Sequence, residues 1–437
     1  MSFKRHIDFS RLFIYVTVAL LAVSVHAQTP IDTTKERQPY PEPRSAIGDV
    51  LAVPGYILEI PFSILKGITN FVVDEMQVGP MASKAIATVG DIKKSTGFYP
   101  SFGTGGRSGV QFGLGFNSSP VWTEQERLKL KAMYSTHDYL NLKAQYRVPN
   151  FINENFEVRL LTQHRQQPWE LFFGLGNYRS ENDKVNYNPE HSVFQASGLW
   201  TPAPNWEFEF KAGYNVYNLF DGEDPKLEGH MDDIVSKFSG DGFTSDLVRS
   251  TRFWTAGTAI NHDWRNHKGQ PTSGGQEIVS IAYNSSTRDF DELEFWRVSV
   301  DLRHYLELFK KRTLALRVLV ESVDISDNST PLPFYLKSGL GGPDNLRGYR
   351  QSRFLDNDVV LASLEYRYPL LEVIDAFVFV DEGRVFSNLS NDFKWHDWKY
   401  SYGGGIRIFN SQTVLIRTFV AKSKEDTRFN LEFSNAF

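Results

Sequence analysis

Few residues in this sequence have types and spacing that could support catalysis. The sequence contains no G-x-S-x-G nucleophile elbow, no H-E-x-x-H zinc motif and no phosphate-binding P-loop. The ten histidines are scattered, and His262 and His267, which flank a turn, favour solvated loop histidines over a metal site. The absence of cysteine from all 437 residues excludes disulfides and thiolate chemistry. We therefore expect no enzymatic activity, no cofactor and no metal.

An acidic stretch is a second candidate for chemistry. Its carboxylates are Asp221, Glu223, Asp224, Asp232 and Asp233. Such a cluster could hold a divalent cation that bridges to lipopolysaccharide. An ordinary solvated loop explains the same composition, and we favour that interpretation.

The third candidate is a glycine-rich segment with an arginine near its end. It reads GLGGPDNLRGY over residues 339–349, and the residues that matter are Gly341, Gly342, Arg347, Gly348 and Tyr349. A guanidinium that leaves water needs carboxylate partners, and it can bind two carboxylate oxygens at once. Glycine at 348 would allow a tight turn, and Tyr349 could pack against a neighbouring wall. The alternative is a surface loop with a solvated arginine.

The elements around these candidates have an apolar period of two from about Gly97 onward. Residues 206–216, WEFEFKAGYNV, put aromatic and aliphatic side chains on one face and charged or small side chains on the other. This period predicts β-strands with one apolar and one polar face. A soluble sandwich would give the same pattern. The length of the runs and their aromatic ends favour transmembrane strands, which need about 9–11 residues and carry aromatic girdles.

The number and spacing of these runs predict a closed barrel. The sixteen runs begin near residues 109, 128, 139, 155, 169, 191, 206, 251, 276, 294, 313, 358, 376, 400, 413 and 428, with the first strand at Gly109 to Asn117. Short and long connections alternate roughly between them. We therefore predict an all-β fold, a 16-stranded antiparallel transmembrane β-barrel over residues 97–437, with both termini in the periplasm. A mean hydropathy of −0.35 excludes a polytopic helical membrane protein, and a net charge of −5 gives no bias towards nucleic acid.

The first 96 residues carry a different pattern. Lys4, Arg5 and Arg11 precede an apolar run from Leu12 to Val25, and small residues come before Gln28. Residues 1–27 are therefore predicted to be a signal peptide. An uncleaved anchor is the alternative. Residues 28–96 are predicted to form a short periplasmic segment, a proline-rich leader followed by one or two short helices. Those helices would pack on the protein, lie in the membrane interface or dock a partner.

The end of the chain carries an alternating aromatic pattern. Phe429, Leu431, Phe433 and Phe437 share one face of the last predicted strand. This resembles the β-signal that the outer-membrane assembly machinery recognises, although Asn435 stands where an aromatic residue is common. An ordinary edge strand ending in phenylalanine is the alternative.

Four segments resemble, in order, the motifs of the outer-membrane insertase and translocase superfamily. This superfamily includes BamA, TamA and the two-partner secretion transporters, and is also called the bacterial surface antigen family. Residues 339–349 resemble its GG…(V/L)RG(F/Y) loop, and residues 361–370 and 379–385 resemble its E-(Y/F)-R-x-P-L and F-x-D-x-G-x-V strands. Residues 261–274 resemble its strand and periplasmic turn, through Asp263, Arg265, Pro271 and Gly274. The resemblance covers about residues 100–437.

The resemblance implies partners for the arginine. In the family, Arg347 would be held inside the barrel by Glu365 and Asp381. The period of two independently places Glu365 on the polar face with Arg367. The direction of Asp381 rests on the resemblance alone, because residues 377–380 are apolar on both faces. Residues 28–100 are too short and too interrupted by proline for the POTRA domains of the family, which implies a member without them.

The function implied by the resemblance is protein assembly. We expect a BamA/TamA-like barrel that assists insertion, assembly or translocation of proteins at the outer membrane of a Gram-negative-type bacterium. Its expected partners are outer-membrane lipid or lipopolysaccharide, protein substrates, and periplasmic or outer-membrane assembly factors, but not nucleic acid. The alternatives are an accessory or structural subunit of a larger complex and a passive pore with a loop plug.

Overall fold

The computed structural model describes most of the chain after residue 95. The described residues are 96–104, 107–118, 121, 125–227, 229–239, 243–286, 293–325, 331–371, 373–409 and 413–433. The predicted signal peptide, the proline-rich leader, the short helices before residue 96 and the terminal Phe437 lie outside these ranges.

One antiparallel sheet of 17 strands dominates the described residues. Each of its long strands pairs with the next long strand along the chain. The long strands are β1 (Gly97–Thr104), β2 (Val110–Ser118), β3 (Arg127–Ser135), β4 (Leu140–Val148), β5 (Phe156–Gln166), β7 (Val185–Ala203), β8 (Trp206–Asp221), β9 (Thr251–Asp263), β10 (Gly274–Ser286), β11 (Glu294–Glu307), β12 (Thr313–Ile325), β15 (Asp358–Leu371), β16 (Ile374–Phe386), β17 (Lys399–Phe409), β18 (Val414–Ser423) and β19 (Thr427–Phe433).

The smaller elements lie in the connections. The short strand β6 (Glu170–Phe172) pairs with β7, and β13 (Ser338–Leu340) pairs with β14 (Phe354–Asp356) in a separate two-stranded sheet. The helices within the described ranges are α1 (Met231–Phe238) and α2 (Leu389–Asp392), with single 3-10 turns at Glu181–Asp183, Ser245–Val248, Phe309–Lys311 and Phe334–Leu336. Among the described helices, none has the length and apolar character needed to cross a bilayer.

Two strand predictions need correction. The predicted first strand, Gly109 to Asn117, is β2, and β1 precedes it. Strand β1 was not predicted because it contains Pro100. Proline lacks the backbone amide that a ladder needs, so it is tolerated in strands mainly at an edge. The run predicted near residue 169 forms only the three residues of β6, since Gly174 and Gly176 adopt φ of +87° and +83° and turn the chain away from the sheet.

The main sheet exposes its apolar face and covers its polar face. Leu316, Leu364, Val380 and Tyr402 are register partners on four adjacent strands, and their side chains are 38–54% exposed. The adjacent residues of the same strands include Asp381, which is fully buried. A water-soluble sheet has the opposite arrangement, because it buries apolar side chains and exposes charges. The pattern therefore fits strands whose apolar face meets lipid and excludes a soluble sandwich.

The fold is all-β and antiparallel, as the period of two predicts. Strands β1 and β19 end the succession of pairings, and their Cα atoms approach within 8 Å. The described residues include no backbone ladder between them. Closure into a barrel of sixteen strands therefore stays a prediction.

The long connection between β12 and β15 packs over the polar face of the sheet. We call residues 338–356, from the start of β13 to the end of β14, the arginine loop. Its buried side chains Leu340, Leu346, Tyr349 and Phe354 form one apolar cluster with residues of the strands, namely Leu319, Val359, Leu361 and Val385. This packing positions the arginine for its contacts with the sheet.

Candidate functional site

The side chain of Arg347 is buried and contacts two carboxylates. Its Nε and Nη2 atoms donate to the two oxygens of Asp381 at 2.8 and 2.7 Å, and its Nη1 donates to Glu365 Oε2 at 2.8 Å. The backbone amide of Arg347 also donates to Asp381, at 3.1 Å. The ring centroid of Phe379 lies 3.5 Å from the guanidinium carbon. Each of these contacts favours the charged form of the arginine.

The charge balance keeps the guanidinium protonated. Burial lowers the pKa of Arg347, but the hydrogen bonds and negative charges of Asp381 and Glu365 outweigh this effect. The pKa of Arg347 is therefore raised above its ordinary value. The side chains of Arg347 and Asp381 are only 6% and 0% exposed. Removing the Arg347 side chain would therefore leave the buried Asp381 carboxylate without the arginine that balances it.

The pairing of β15 with β16 brings the two carboxylates together. Asp381 lies opposite Ser363 in the register, so Glu365 and Asp381 are diagonal neighbours on the polar face. The sequence left the direction of Asp381 open because Phe377 and Phe379 are apolar although they share its face. These two rings are buried with Phe419, which explains the apolar residues on both sides of this strand.

Two positions of the arginine loop have a backbone conformation that favours glycine. Gly341 has φ of +112°, and a Cβ atom there would lie 2.1 Å from the carbonyl oxygen of Arg350. Gly348 has φ of +89°, and its carbonyl accepts a hydrogen bond from Ser423 Oγ at 3.0 Å. Both conformations favour glycine, so these positions tolerate a side chain poorly.

The remaining predicted loop residues lie beside them. The amide of Gly342 donates to the carbonyl of Tyr349 at 3.2 Å, which closes the loop on itself. The Tyr349 ring packs edge-on against Phe354 with centroids 5.1 Å apart. Burial raises the pKa of Tyr349 to about 12. The tyrosine is therefore a neutral packing residue at physiological pH.

Four further contacts tether the arginine loop, and the sequence did not predict them. Arg353 binds Glu425 in the turn between β18 and β19, and Arg350 binds Glu181 in the connection between β5 and β7. Arg317 of β12 donates to the carbonyl of Asp344 at 2.6 Å, and Arg417 of β18 donates to the carbonyl of Pro343 at 3.1 Å. A signal for two of them was present, since residues 347–353 contain three arginines at intervals of three.

The predicted strand and turn motif lies near the same polar face. Arg265 binds both oxygens of Asp263, at 2.7 and 2.8 Å. Gly274 has φ of +92° at the start of β10. The carbonyl of Pro271 accepts a hydrogen bond of 3.4 Å from Arg367, whose Nε binds Glu365 at 2.7 Å. The turn is therefore linked to the Arg347 site through Glu365.

The predicted β-signal is only partly described. Phe429 is 70% exposed on the apolar face of β19, and Leu431 is half-buried on the same strand. Phe433 ends β19 without a described side chain, and Phe437 lies beyond the described residues.

Most of the other candidate residues that the structure describes make structural contacts. His262 bonds to Glu277 at 2.8 Å, and His267 is exposed. Asp224 is buried and ion-paired with Arg107, so the expectation of an ordinary solvated loop does not hold for this carboxylate. Asp221 accepts a hydrogen bond from the amide of Met231 at the start of α1. Within the described ranges, no three histidine or carboxylate residues are grouped so that they could hold a metal ion.

Comparisons with known proteins identify relatives of this arrangement. Residues 100–437 match the Omp85 superfamily domain. BamA from Haemophilus ducreyi lacking POTRA domains 1-3 matches with a TM-score of 0.56 and 14% identity, over 78% of this chain and 70% of that chain. CdiB from Acinetobacter baumannii matches with a TM-score of 0.47 and 13% identity, over 77% of this chain and 59% of that chain. No curated protein sequence matches this chain.

Proposed function

This chain belongs to the Omp85 superfamily of outer-membrane β-barrel proteins, and on that premise we propose that it assists insertion, assembly or translocation of proteins at the outer membrane. The proposal extends to a protein substrate, to partner factors at the membrane and to a lipid environment on the apolar face. It also places both termini in the periplasm.

The junction of β1 and β19 is the observation that carries the proposal, and we call this junction the seam. The two strands approach each other. Within the described residues, however, β1 forms a backbone ladder only with β2, and β19 only with β18. An edge strand offers free backbone donors and acceptors to a strand of another chain. β1 is suited to a weak junction because Pro100 lacks an amide and because β1 is only eight residues long.

The arginine loop is fixed to the polar face of the sheet. It crosses the polar face from β12 to the turn between β18 and β19 and is held by ion pairs with Asp381, Glu365, Glu425 and Glu181. A fixed, charged segment would also constrict a passive pore and set its ion selectivity. The loop therefore agrees with both the assembly function and the pore with a loop plug, and the depletion experiment below separates them.

Orientation follows from the strand order once both termini are placed in the periplasm. The ends of β8 and β12, the starts of β9 and β15, and the turn of residues 424–426 then all lie at the outer end of the sheet. The turn that contains Asp263 and Arg265 lies at the opposite, periplasmic end. We propose this orientation together with the function.

Depletion in the native bacterium tests the proposal. We expect a fall in the amount of folded outer-membrane or secreted proteins before general growth arrest, and rescue by the full chain. The measurement is quantitative proteomics of isolated outer membranes and culture medium during depletion. An unchanged proteome, together with ion conductance by the purified chain, would instead support the passive pore. Unchanged folding in the presence of a stable co-purified complex would support the accessory subunit.

A further inference from the structure

Arg353 is a buried charge that joins three separate segments. It is 1% exposed, and its Nε and Nη2 atoms bind the two oxygens of Glu425 at 2.9 and 2.7 Å. Nη2 also donates to the carbonyl of Arg179 at 2.5 Å. The ring centroids of Phe173 and Phe354 each lie 4.8 Å from its guanidinium carbon. The arginine loop, the connection after β6 and the turn before β19 therefore meet at one side chain.

The turn that carries Glu425 is bound to the arginine loop a second time. Ser423 Oγ donates to the carbonyl of Gly348 at 3.0 Å and accepts from the amides of Glu425 and Asp426 at 3.2 and 3.1 Å. One hydroxyl thus connects the turn between β18 and β19 with the tight turn next to Arg347.

A third link joins the loop to the last two strands. Arg417 of β18 binds Glu432 of β19 and also donates to the carbonyl of Pro343 at 3.1 Å. Strands β18 and β19 are therefore attached to the arginine loop both through the turn between them and through Arg417.

We infer that Arg353 is a second positioning residue, which couples the arginine loop to β19 so that release of the loop and fraying of the last strand are one event. A bidentate ion pair whose arginine is shielded from water is suited to this role, because losing the carboxylate leaves the buried charge of Arg353 unpaired. The Arg350–Glu181 pair is more than a quarter exposed on both sides, so water weakens it. The coupling is a property of the fold, and only its use during seam opening rests on the proposed function.

Hydrogen exchange in the full chain tests the coupling through the variant Glu425→Gln. Glutamine keeps the size of the side chain and removes its charge. We expect about tenfold faster amide exchange both in residues 427–433 and in residues 338–356, the effect expected for loss of one charge-assisted contact. Arg353→Gln is expected to accelerate the same two segments. Arg350→Gln is the matched control, and it is expected to change exchange in residues 427–433 much less than Glu425→Gln does, because within the described residues its only influence on β19 is the charge interaction with Arg428.

Two results would overturn the coupling. One is faster exchange in Glu425→Gln that is confined to the turn and β19 while the arginine loop keeps its protection. The other is an effect of Arg350→Gln on β19 as large as that of Glu425→Gln. If Arg353→Gln does not fold, Glu425→Gln decides alone, because Glu425 lies in a surface turn with a side chain 23% exposed. Exchange reports on the coupling without an activity assay, so its failure is distinguishable from failure of the proposed function.

Discussion

Arg347→Ala is expected to abolish complementation in depleted cells and to release the arginine loop from the sheet. The substitution leaves Asp381 and Glu365 facing each other on the polar face without the cation between them. Removal of one partner from a buried ion pair costs about 3–5 kcal/mol. Growth of the depleted strain and amide exchange of residues 338–356 measure the two effects.

Arg350→Ala is the matched control for this result. Arg350 lies in the same loop and has an ion-pair partner, but the pair is partly solvated. We expect a loss of less than about 1 kcal/mol and nearly normal complementation, as for other exposed pairs. Equal phenotypes for Arg347→Ala and Arg350→Ala would refute a special role for the buried site.

Gly341→Ala is expected to destabilise the arginine loop by about 2–4 kcal/mol. Alanine at φ of +112° costs about 1 kcal/mol, and its Cβ would lie 2.1 Å from the carbonyl oxygen of Arg350, which adds about 1–3 kcal/mol of overpacking. The backbone must shift, because the contact is with main-chain oxygen. Amide exchange of the loop in detergent micelles gives the change in local opening free energy.

Gly176→Ala separates the two contributions. Gly176 also has a positive φ, +83°, but nothing lies within 4 Å of a Cβ atom there. This variant should therefore show only the backbone cost of about 1 kcal/mol. A Gly341→Ala effect no larger than that of Gly176→Ala would mean that the close approach to Arg350 does not constrain the loop.

The sequence predicted those parts of the fold that depend on local alternation. The all-β antiparallel architecture follows from the period of two, and the family motifs pointed to the superfamily to which the chain belongs. Glu365 could be placed on the polar face because Leu364 and Tyr366 flank it clearly. Asp381 could not, because Phe377 and Phe379 lie on the same covered face and erase the alternation.

The sequence did not predict side-chain contacts between residues that lie far apart in the chain. Arg353 and Glu425 are 72 residues apart, and only the packed loop shows that they meet. β1 was missed because Pro100 is atypical of a strand, although it suits an edge. Sequence alternation reports which face a side chain occupies, whereas partners across a folded loop are set by tertiary packing.

A locked seam tests the central claim most directly, because this chain contains no cysteine of its own. Cysteine pairs would be introduced with one member at successive positions of residues 97–103 in β1 and the other at Asn430 in β19, and the pair that oxidises fully would be selected by gel shift. The control pair is Leu316→Cys with Leu364→Cys, two register partners on the exposed face of β12 and β15. We predict that the locked seam fails to support assembly or export of outer-membrane proteins until a reductant is added, while the control pair supports it when oxidised. Full activity of a chain whose seam is demonstrably cross-linked would contradict the account.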